Sequence, residues 1–445
     1  MQRSLVAVLA GTFTLRFSTG LTGAMLGLYL ADLPDHGGPP VDATIVGLFA
    51  ATFYLAELVL SPIFGILSDR RGHHRVMLYG PVFGAVAVIM TGFTADLGLP
   101  APVAVVLAPI TGSLVVLGVT RLLEGASTAA SVPSILGFIA LATAGNEALR
   151  GKAAARFEGA TLAGLGVGFI VAPKLFEAIG PTAFFLNALI YGGSFLIYLV
   201  GVKDPAGERE AVAARHVGFS RYLELVRSAH VLLLAPTWIA VNASIGLWFS
   251  QSLFQFSQAN PAFPDQVLMR GFDANQITLA AIAIAIVFGA GLLYWGNRFK
   301  SMRRTTIILY GILGGAVLVG AGIGVNHSGG QPAVVPIGAG LLAGAGLFVL
   351  AGATPAALGL LADISERFPG DRGAIMGLYS VFLAIGQITG SLIGGVAADR
   401  GGIDGMLLAT LVLLGIALVP LSRLREQEHQ IDGSESPAFL GDIAL

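Results

Sequence analysis

Twelve long apolar stretches run through this chain of 445 residues and limit what it can fold into. A helix of about 20 residues crosses the roughly 30 Å hydrocarbon layer of a membrane. Only 11% of the residues are Asp, Glu, Lys or Arg, too few to cover a water-soluble protein of this size. We therefore predict an all-α membrane protein with twelve transmembrane helices, near residues 5–31, 43–68, 76–95, 110–143, 152–179, 181–202, 230–256, 275–297, 305–325, 332–364, 372–398 and 403–424.

The positions of the basic residues predict which side of the membrane each loop occupies. Cytoplasmic loops of membrane proteins are enriched in Lys and Arg. If the N-terminus is cytoplasmic, 20 of the 25 Lys and Arg residues fall in inner loops and tails, and three fall in outer loops. Splitting the long fourth or tenth stretch into two helices would destroy this distribution, so we predict one long helix in each. The sequence predicts a multi-pass protein of the cell (inner) membrane with both termini cytoplasmic.

The second half of the chain repeats the first at an offset of 222 residues. The matching pairs include Pro133 with Pro355, Gly137 with Gly359, Gly164 with Gly386 and Gly168 with Gly390. They place the fourth span on the tenth and the fifth on the eleventh, as in parallel repeats. We predict six-helix bundles at residues 1–202 and 230–424, a cytoplasmic linker at 203–229 and a cytoplasmic tail at 425–445.

Two motifs point to a known family. The second and third spans are joined through Gly65-Ile-Leu-Ser-Asp69-Arg70-Arg71-Gly72-His73-His74-Arg75, and the fourth span contains Arg121-Leu-Leu-Glu124-Gly125. The first closely resembles the loop signature of the major facilitator superfamily, and the second resembles another element of that superfamily. With twelve spans and the repeat, the resemblance covers nearly the whole chain. It implies the two-bundle fold of these proteins and a secondary transporter that works by alternating access.

The resemblance also implies a conformational gate in the loop after the second span. The Asp that matches Asp69 is thought, in this family, to latch onto the eleventh span and hold the outward-open state. The glycine that starts the motif leaves room for a neighbouring helix, and a carboxylate at a helix end can face the positive N-terminus of another helix. His73 and His74 depart from the basic pair usual in the family. The predicted gate residues are Gly65, Asp69, Arg70, Gly72 and Arg75.

Ionisable residues deep inside the spans lie in the first half alone. Each costs about 2.5–3.5 kcal/mol on insertion scales, so each needs a partner or a function. Glu57 is the first candidate for the proton carrier, with Arg16 or Arg121 as its modulator, because a moving Arg changes a carboxylate's affinity for protons. Glu124 lies one helical turn from Arg121, so a fixed structural pair is the alternative there. The proton-coupling candidates are Glu57, Glu124, Glu158, Arg16 and Arg121.

The spans of the second half carry amides and aromatic rings instead of charges. We predict a substrate site formed by Trp238, Asn242, Trp248, Gln251 and Gln387. So few hydrogen-bonding side chains favour a hydrophobic or amphipathic small molecule, exported in exchange for protons as in multidrug efflux. A uniporter or proton symporter for a polar solute or lipid is the alternative within transport. A non-transporting membrane receptor or enzyme is the alternative of another class.

Several kinds of chemistry are excluded by composition. The chain has no cysteine, which excludes disulfides, thiolate metal sites and cysteine nucleophiles. The seven His residues lie outside the apolar cores, and no nucleotide-binding loop follows a predicted strand. We therefore predict no metal, no cofactor and no enzymatic activity. The net charge of −1 gives no reason to expect nucleic acid, so the expected partners are a small-molecule substrate, protons and the lipid bilayer, with the protein a monomer.

Overall fold

The computed structural model describes residues 2–98, 100–143, 147–203, 229–298, 301–366 and 372–435. Nearly all of the predicted linker and the last ten residues of the predicted tail lie outside this part of the chain. The helices of the first half are α1 Gln2–Ala31, α2 Ala43–Arg71, α3 His73–Met77, α4 Tyr79–Gly92, α5 Ala101–Leu107, α6 Leu114–Ala142, α7 Glu147–Ile179 and α8 Ala183–Gly201. Those of the second half are α9 Ala229–Ser257, α10 Ala274–Asn297, α11 Arg304–Asn326, α12 Val334–Leu350, α13 Ala353–Glu366 and α14 Arg372–Glu435.

These helices form the predicted spans. Within the described residues, nine helical segments are long and apolar enough to cross a membrane. Two of them, Arg156–Gly201 and Ser380–Glu426, each contain two spans. The spans turn at Gly180 and Gly402, whose φ angles of 56° and 58° lie in the left-handed region that favours glycine. With the 29-residue helix α9, the twelve predicted spans are all present in the part of the chain that the structure describes.

The structure departs from the predicted spans in four places. The third span is broken at Leu78, between α3 and α4. The tenth span is one broken helix rather than a continuous one, because α12 ends before Gly352 and a Cβ on that glycine would lie 2.6 Å from the ring of Trp295. The short exposed helix α5 was not predicted. Helix α14 continues to Glu435, past the predicted end of the twelfth span.

The repeat is visible in how the helices of each half pack. A Cβ on Gly168 of α7 would lie 2.3 Å from the carbonyl oxygen of Phe17 in α1. A Cβ on Gly390 of α14 would lie 2.0 Å from the carbonyl oxygen of Ala243 in α9. Gly168 and Gly390 are partners in the sequence repeat. The α1–α7 and α9–α14 contacts are therefore equivalent helix seams, in which small residues allow backbones to come close.

Substitution in these seams is expected to destabilise both halves to a similar degree. Gly168→Ala and Gly390→Ala each force a methyl group against a backbone carbonyl, which should cost about 1–3 kcal/mol. Thermal unfolding in detergent measures the loss. Gly166→Ala in α7 and Gly415→Ala in α14 are the matched controls, since no atom lies within 4 Å of either added Cβ. Equal unfolding temperatures for seam and control variants would contradict the assignment.

In the part of the chain that the structure describes, the buried apolar side chains of the two halves pack together towards one end of the molecule. We call the end where α1 begins the N-terminal face and the other end the opposite face. One cluster of buried apolar side chains joins both halves towards the opposite face, for example Met25 and Tyr29 with Leu253 and Met406. Two further clusters lie towards the N-terminal face, each within a single half. The molecule is therefore closed at the opposite face.

Candidate functional site

The predicted charged residues of the first half come together between α1, α2 and α7. Arg16 of α1 is buried, and it acts electrostatically on both Glu57 of α2 and Glu158 of α7. The α1–α7 seam places Arg16 beside α7, because a Cβ on Gly164 would lie 2.9 Å from the Arg16 Cβ. One guanidinium thus serves two carboxylates from two different helices.

A hydroxyl group on a fourth helix orients Arg16. The Arg16 Nη1 atom donates a hydrogen bond of 3.3 Å to the Thr128 hydroxyl of α6. Thr128 is itself buried. No sequence pattern singles out this hydroxyl, because it lies among the small residues that line one face of α6.

Arg121 and Glu124 pair within their own helix. They form an ion pair one turn apart in α6, with side chains only 5% and 2% exposed. The Arg121 Nε atom and the Glu124 Oε1 atom have no hydrogen-bond partner among the described residues. This is the fixed pair that the sequence spacing allowed. It leaves Arg16 as the guanidinium that acts on Glu57.

Two tyrosines border the charged cluster that Arg16 forms with Glu57 and Glu158. The Tyr191 hydroxyl of α8 lies 3.5 Å from that of Thr19, and the ring is fully buried. Tyr54 lies on α2, one turn before Glu57, and interacts electrostatically with Glu57 and with Arg16. Neither tyrosine was among the predicted site residues, since an aromatic residue in an apolar span gives no signal comparable to a charge.

The predicted substrate residues lie on α9 and α14 of the second half. Trp238 is packed in the apolar cluster of that half, and its carbonyl oxygen accepts a 2.9 Å hydrogen bond from the Asn242 amide. Trp248 donates its indole N–H to the Thr410 hydroxyl at 3.0 Å. Much of the polar capacity of these residues is therefore used within the bundle.

The two glutamines of the predicted substrate site differ in their contacts. The Gln251 amide donates a 2.9 Å hydrogen bond to the carbonyl oxygen of Ala43, at the start of α2 in the other half. The Gln387 amide is buried, and its Oε1 atom accepts no hydrogen bond from the described residues. The Gln387 Oε1 atom thus has an unused acceptor, buried beside Gly246 of α9, whereas Gln251 helps to join the halves.

The predicted gate lies exposed at the N-terminal face. Gly72 ends α2 with a φ of 96°, and Arg70 and Arg75 point to the surface. The Asp69 side chain is 59% exposed, and its carboxylate lies 3.9 Å from the His73 ring of the same half. A Cβ on Gly65 would meet only Pro133, at an ordinary contact distance of 3.8 Å. Among the described residues, no close helix contact requires Gly65 in this conformation.

The two histidines of the loop help to pack it against the first half. The His73 ring is buried and leaves no space for a side chain at Gly137, where a Cβ would lie 2.3 Å from the ring. The His74 ring lies within hydrogen-bond distance, 3.0 Å, of the Tyr198 carbonyl oxygen. These histidines hold the start of the third span against α6 and α8.

A sequence model described as the Major Facilitator Superfamily matches the chain twice, over residues 8–258 and 247–439. The chain belongs to this superfamily. The two matches follow the internal repeat, which confirms the predicted family and its two-bundle fold. Proteins of the superfamily are transporters and not enzymes, as the sequence predicted for this chain.

Relatives within the superfamily include two bacterial resistance proteins. "Multidrug resistance protein 1" of Bacillus subtilis (strain 168) is 26% identical over 386 residues, which cover 85% of this chain and 87% of the relative. "Quinolone resistance protein NorA" of Staphylococcus aureus (strain MSSA476) is 22% identical over 405 residues, covering 90% and 91%. Both names describe resistance to drugs.

Solved structures of superfamily transporters share the fold. The nucleoside transporter NupG superposes with a TM-score of 0.67 at 14% identity, covering 96% of this chain and 99% of NupG. The human organic anion transporter MFSD10 (TETRAN) gives a TM-score of 0.60 at 17% identity, covering 95% and 99%. At these identities the likeness concerns the fold alone.

Proposed function

We propose that this protein exports a hydrophobic or amphipathic small molecule from the cytoplasm in exchange for protons. The observation that carries the proposal is the charge imbalance of the first-half cluster, which consists of one guanidinium, Arg16, and two carboxylates, Glu57 and Glu158. Arg121 is neutralised by Glu124 in the same helix, whereas Arg16 acts on both Glu57 and Glu158. The resemblance to proteins named for multidrug and quinolone resistance supports export.

The charge balance of this cluster favours an exchange mechanism. One guanidinium against two ionised carboxylates leaves one negative charge, which is costly inside a membrane protein. One proton on Glu57 or Glu158 removes that charge, and a positively charged amphipathic substrate does the same. Proton and substrate therefore compete for one site, so that each drives the release of the other.

The direction of opening follows from the predicted orientation. With the N-terminal face in the cytoplasm, a molecule closed at the opposite face is inward-facing. The cluster then exchanges protons and substrate with the cytoplasm, and a rocking motion of the two bundles exposes it to the exterior. Each chain contains both bundles, so we propose that one monomer in the inner membrane is sufficient.

The remaining predicted residues take their places in this cycle. Asp69 is exposed here, which suits a latch that closes the N-terminal face only in the outward-facing state. The space beside Gly65 suits the closer approach of another helix in that state. The substrate side of the chamber in the second half is proposed to be Trp238, Asn242, Trp248, Gln251 and Gln387.

Transport by the purified chain in inside-out vesicles tests the proposal. With an acidic lumen, a fluorescent lipophilic cation should accumulate in the lumen, and a protonophore should abolish the accumulation. A neutral analogue of similar shape should accumulate less, because it does not neutralise the cluster.

Other outcomes separate the alternatives. Accumulation only when the lumen is alkaline would indicate a symporter, and equilibration that ignores the gradient would indicate a uniporter. Absence of flux by folded protein, across a panel that includes polar solutes, would favour a non-transporting receptor.

A further inference from the structure

A carboxylate from the second half caps the start of α2 at the opposite face. Asp399 lies near the end of the eleventh span in α14. Its Oδ1 atom accepts a 2.8 Å hydrogen bond from the Ala43 backbone N–H, and its Oδ2 atom accepts one of 2.9 Å from the Thr44 N–H. The Thr44 hydroxyl also donates to Oδ2. One side chain of the second half thus receives three hydrogen bonds from the start of α2.

The start of α2 needs such acceptors. The first four N–H groups of a helix have no partner within the helix, and the helix dipole places positive charge there. Asp42 of the same half accepts from the Ile45 N–H at 2.8 Å and so supplies an ordinary N-cap. Asp399 supplies the acceptors for the two N–H groups that precede Ile45, those of Ala43 and Thr44. The helix is therefore capped by two carboxylates, one from each half.

The helices at this contact are shaped to come close. A Cβ on Gly395 of α14 would lie 2.6 Å from the Ala43 carbonyl oxygen. A Cβ on Gly47 of α2 would lie 2.3 Å from the Ser391 carbonyl oxygen. The Gln251 amide of α9 donates to the Ala43 carbonyl oxygen, so that the start of α2 is held between α9 and α14.

We propose that Asp399 is the latch that holds the opposite face closed, and that α2 and the eleventh span cap each other in turn. The eleventh span begins at Arg372, at the N-terminal face, where α2 ends after Asp69. Each helix thus carries an Asp near its C-terminal end, at the face of the molecule where the other helix begins. Asp399 is engaged in this structure and Asp69 is exposed, so one latch forms when the other is released. This step rests on the alternating access of the proposed function.

Removal of the latch should shift the balance between conformations without unfolding the protein. When the halves separate, water replaces Asp399 as the acceptor for the two N–H groups, so the latch biases the equilibrium rather than locking it. Asp399→Ala should raise the ratio of outward-facing to inward-facing molecules about five- to tenfold, as expected for the loss of one charged cap. Thr44→Val removes one of the three donors and should produce a smaller shift in the same direction.

Spin-label distances measure this shift directly, because the chain has no native cysteine. Cysteines at the exposed positions Thr182 and Ala262 report the separation of the halves at the opposite face. Cysteines at Lys203 and Ser301 report it at the N-terminal face. Asp399→Ala should lengthen the first distance and shorten the second. Addition of Asp69→Asn should return both distances towards those of the parent, since both latches are then weakened.

Asp42→Ala is the matched control. It also removes a cap from the start of α2, but Asp42 belongs to the same half as α2, so its loss breaks no contact between the halves. It should lower the melting temperature while leaving both distances unchanged. The proposal is overturned if Asp399→Ala and Thr44→Val also lower the melting temperature and leave both distances unchanged. These distances are measured without substrate or a pH gradient, so failure of proton-coupled export would not affect the result.

Discussion

Glu57→Gln is expected to abolish transport driven by a pH gradient while leaving exchange of a neutral substrate analogue at equal pH intact. In the variant, Arg16 faces the single carboxylate of Glu158 and the cluster is neutral without a proton. The bundles can still move, and a neutral substrate analogue, which needs no negative charge in the cluster, can still bind, but the cycle no longer carries protons. Exchange of one proton for one substrate gives about a hundredfold accumulation for a gradient of about two pH units, and the variant should lose all of it.

The measurement compares accumulation in vesicles with an acidic lumen and counterflow at equal pH. Glu177→Gln is the control, because Glu177 is an exposed carboxylate near the end of α7, paired with Lys174. It should leave both activities unchanged. Normal accumulation by Glu57→Gln would remove Glu57 from the coupling role. If Glu158→Gln then lost the accumulation driven by the pH gradient, Glu158 would take the coupling role in place of Glu57.

The fold could be predicted because lipid leaves the chain few choices. Backbone polar groups in the hydrocarbon layer must be paired within a helix, so the length of each apolar stretch determines a span. The start of α2 at Ala43 and the end of α1 at Ala31 agree with the predicted boundaries. The break in the tenth span could not be predicted, because it accompanies the packing of Trp295 against Gly352. That contact depends on a helix distant in sequence.

The charged residues that come together in the first half stand out in the sequence, but only some of their partners do. The pairing of Arg121 with Glu124 follows from a spacing of one helical turn. The action of Arg16 on Glu57 and Glu158 depends on how three helices pack, which no local pattern contains. Asp399 was missed for a related reason. Beside Arg400, Asp399 resembles an ordinary loop charge. It accepts a hydrogen bond from the backbone N–H of Thr44, which is 355 residues away in the sequence.

The ion pair within α6 gives the largest expected effect on stability. Removing one partner of a buried pair leaves an uncompensated charge and costs about 3–5 kcal/mol. Glu124→Gln should cost more than Arg121→Met, because a guanidinium cannot lose its proton in a protein whereas a carboxyl group can gain one. The double variant Arg121→Met/Glu124→Leu should be more stable than either single variant, since no charge remains buried. Thermal unfolding of the three variants measures the coupling between the two sites.

Lys174 and Glu177 of α7 provide a control with the same geometry and different exposure. They too are a basic and an acidic residue three positions apart, with Nζ and Oε2 separated by 2.6 Å, but their side chains are 40% and 50% exposed. Water screens such a pair, so Lys174→Met or Glu177→Gln should cost less than about 1 kcal/mol. If the two pairs gave equal coupling, α6 would have to admit water at Arg121. That result would return Glu124 to the groups able to exchange protons, because a hydrated carboxylate needs no fixed partner.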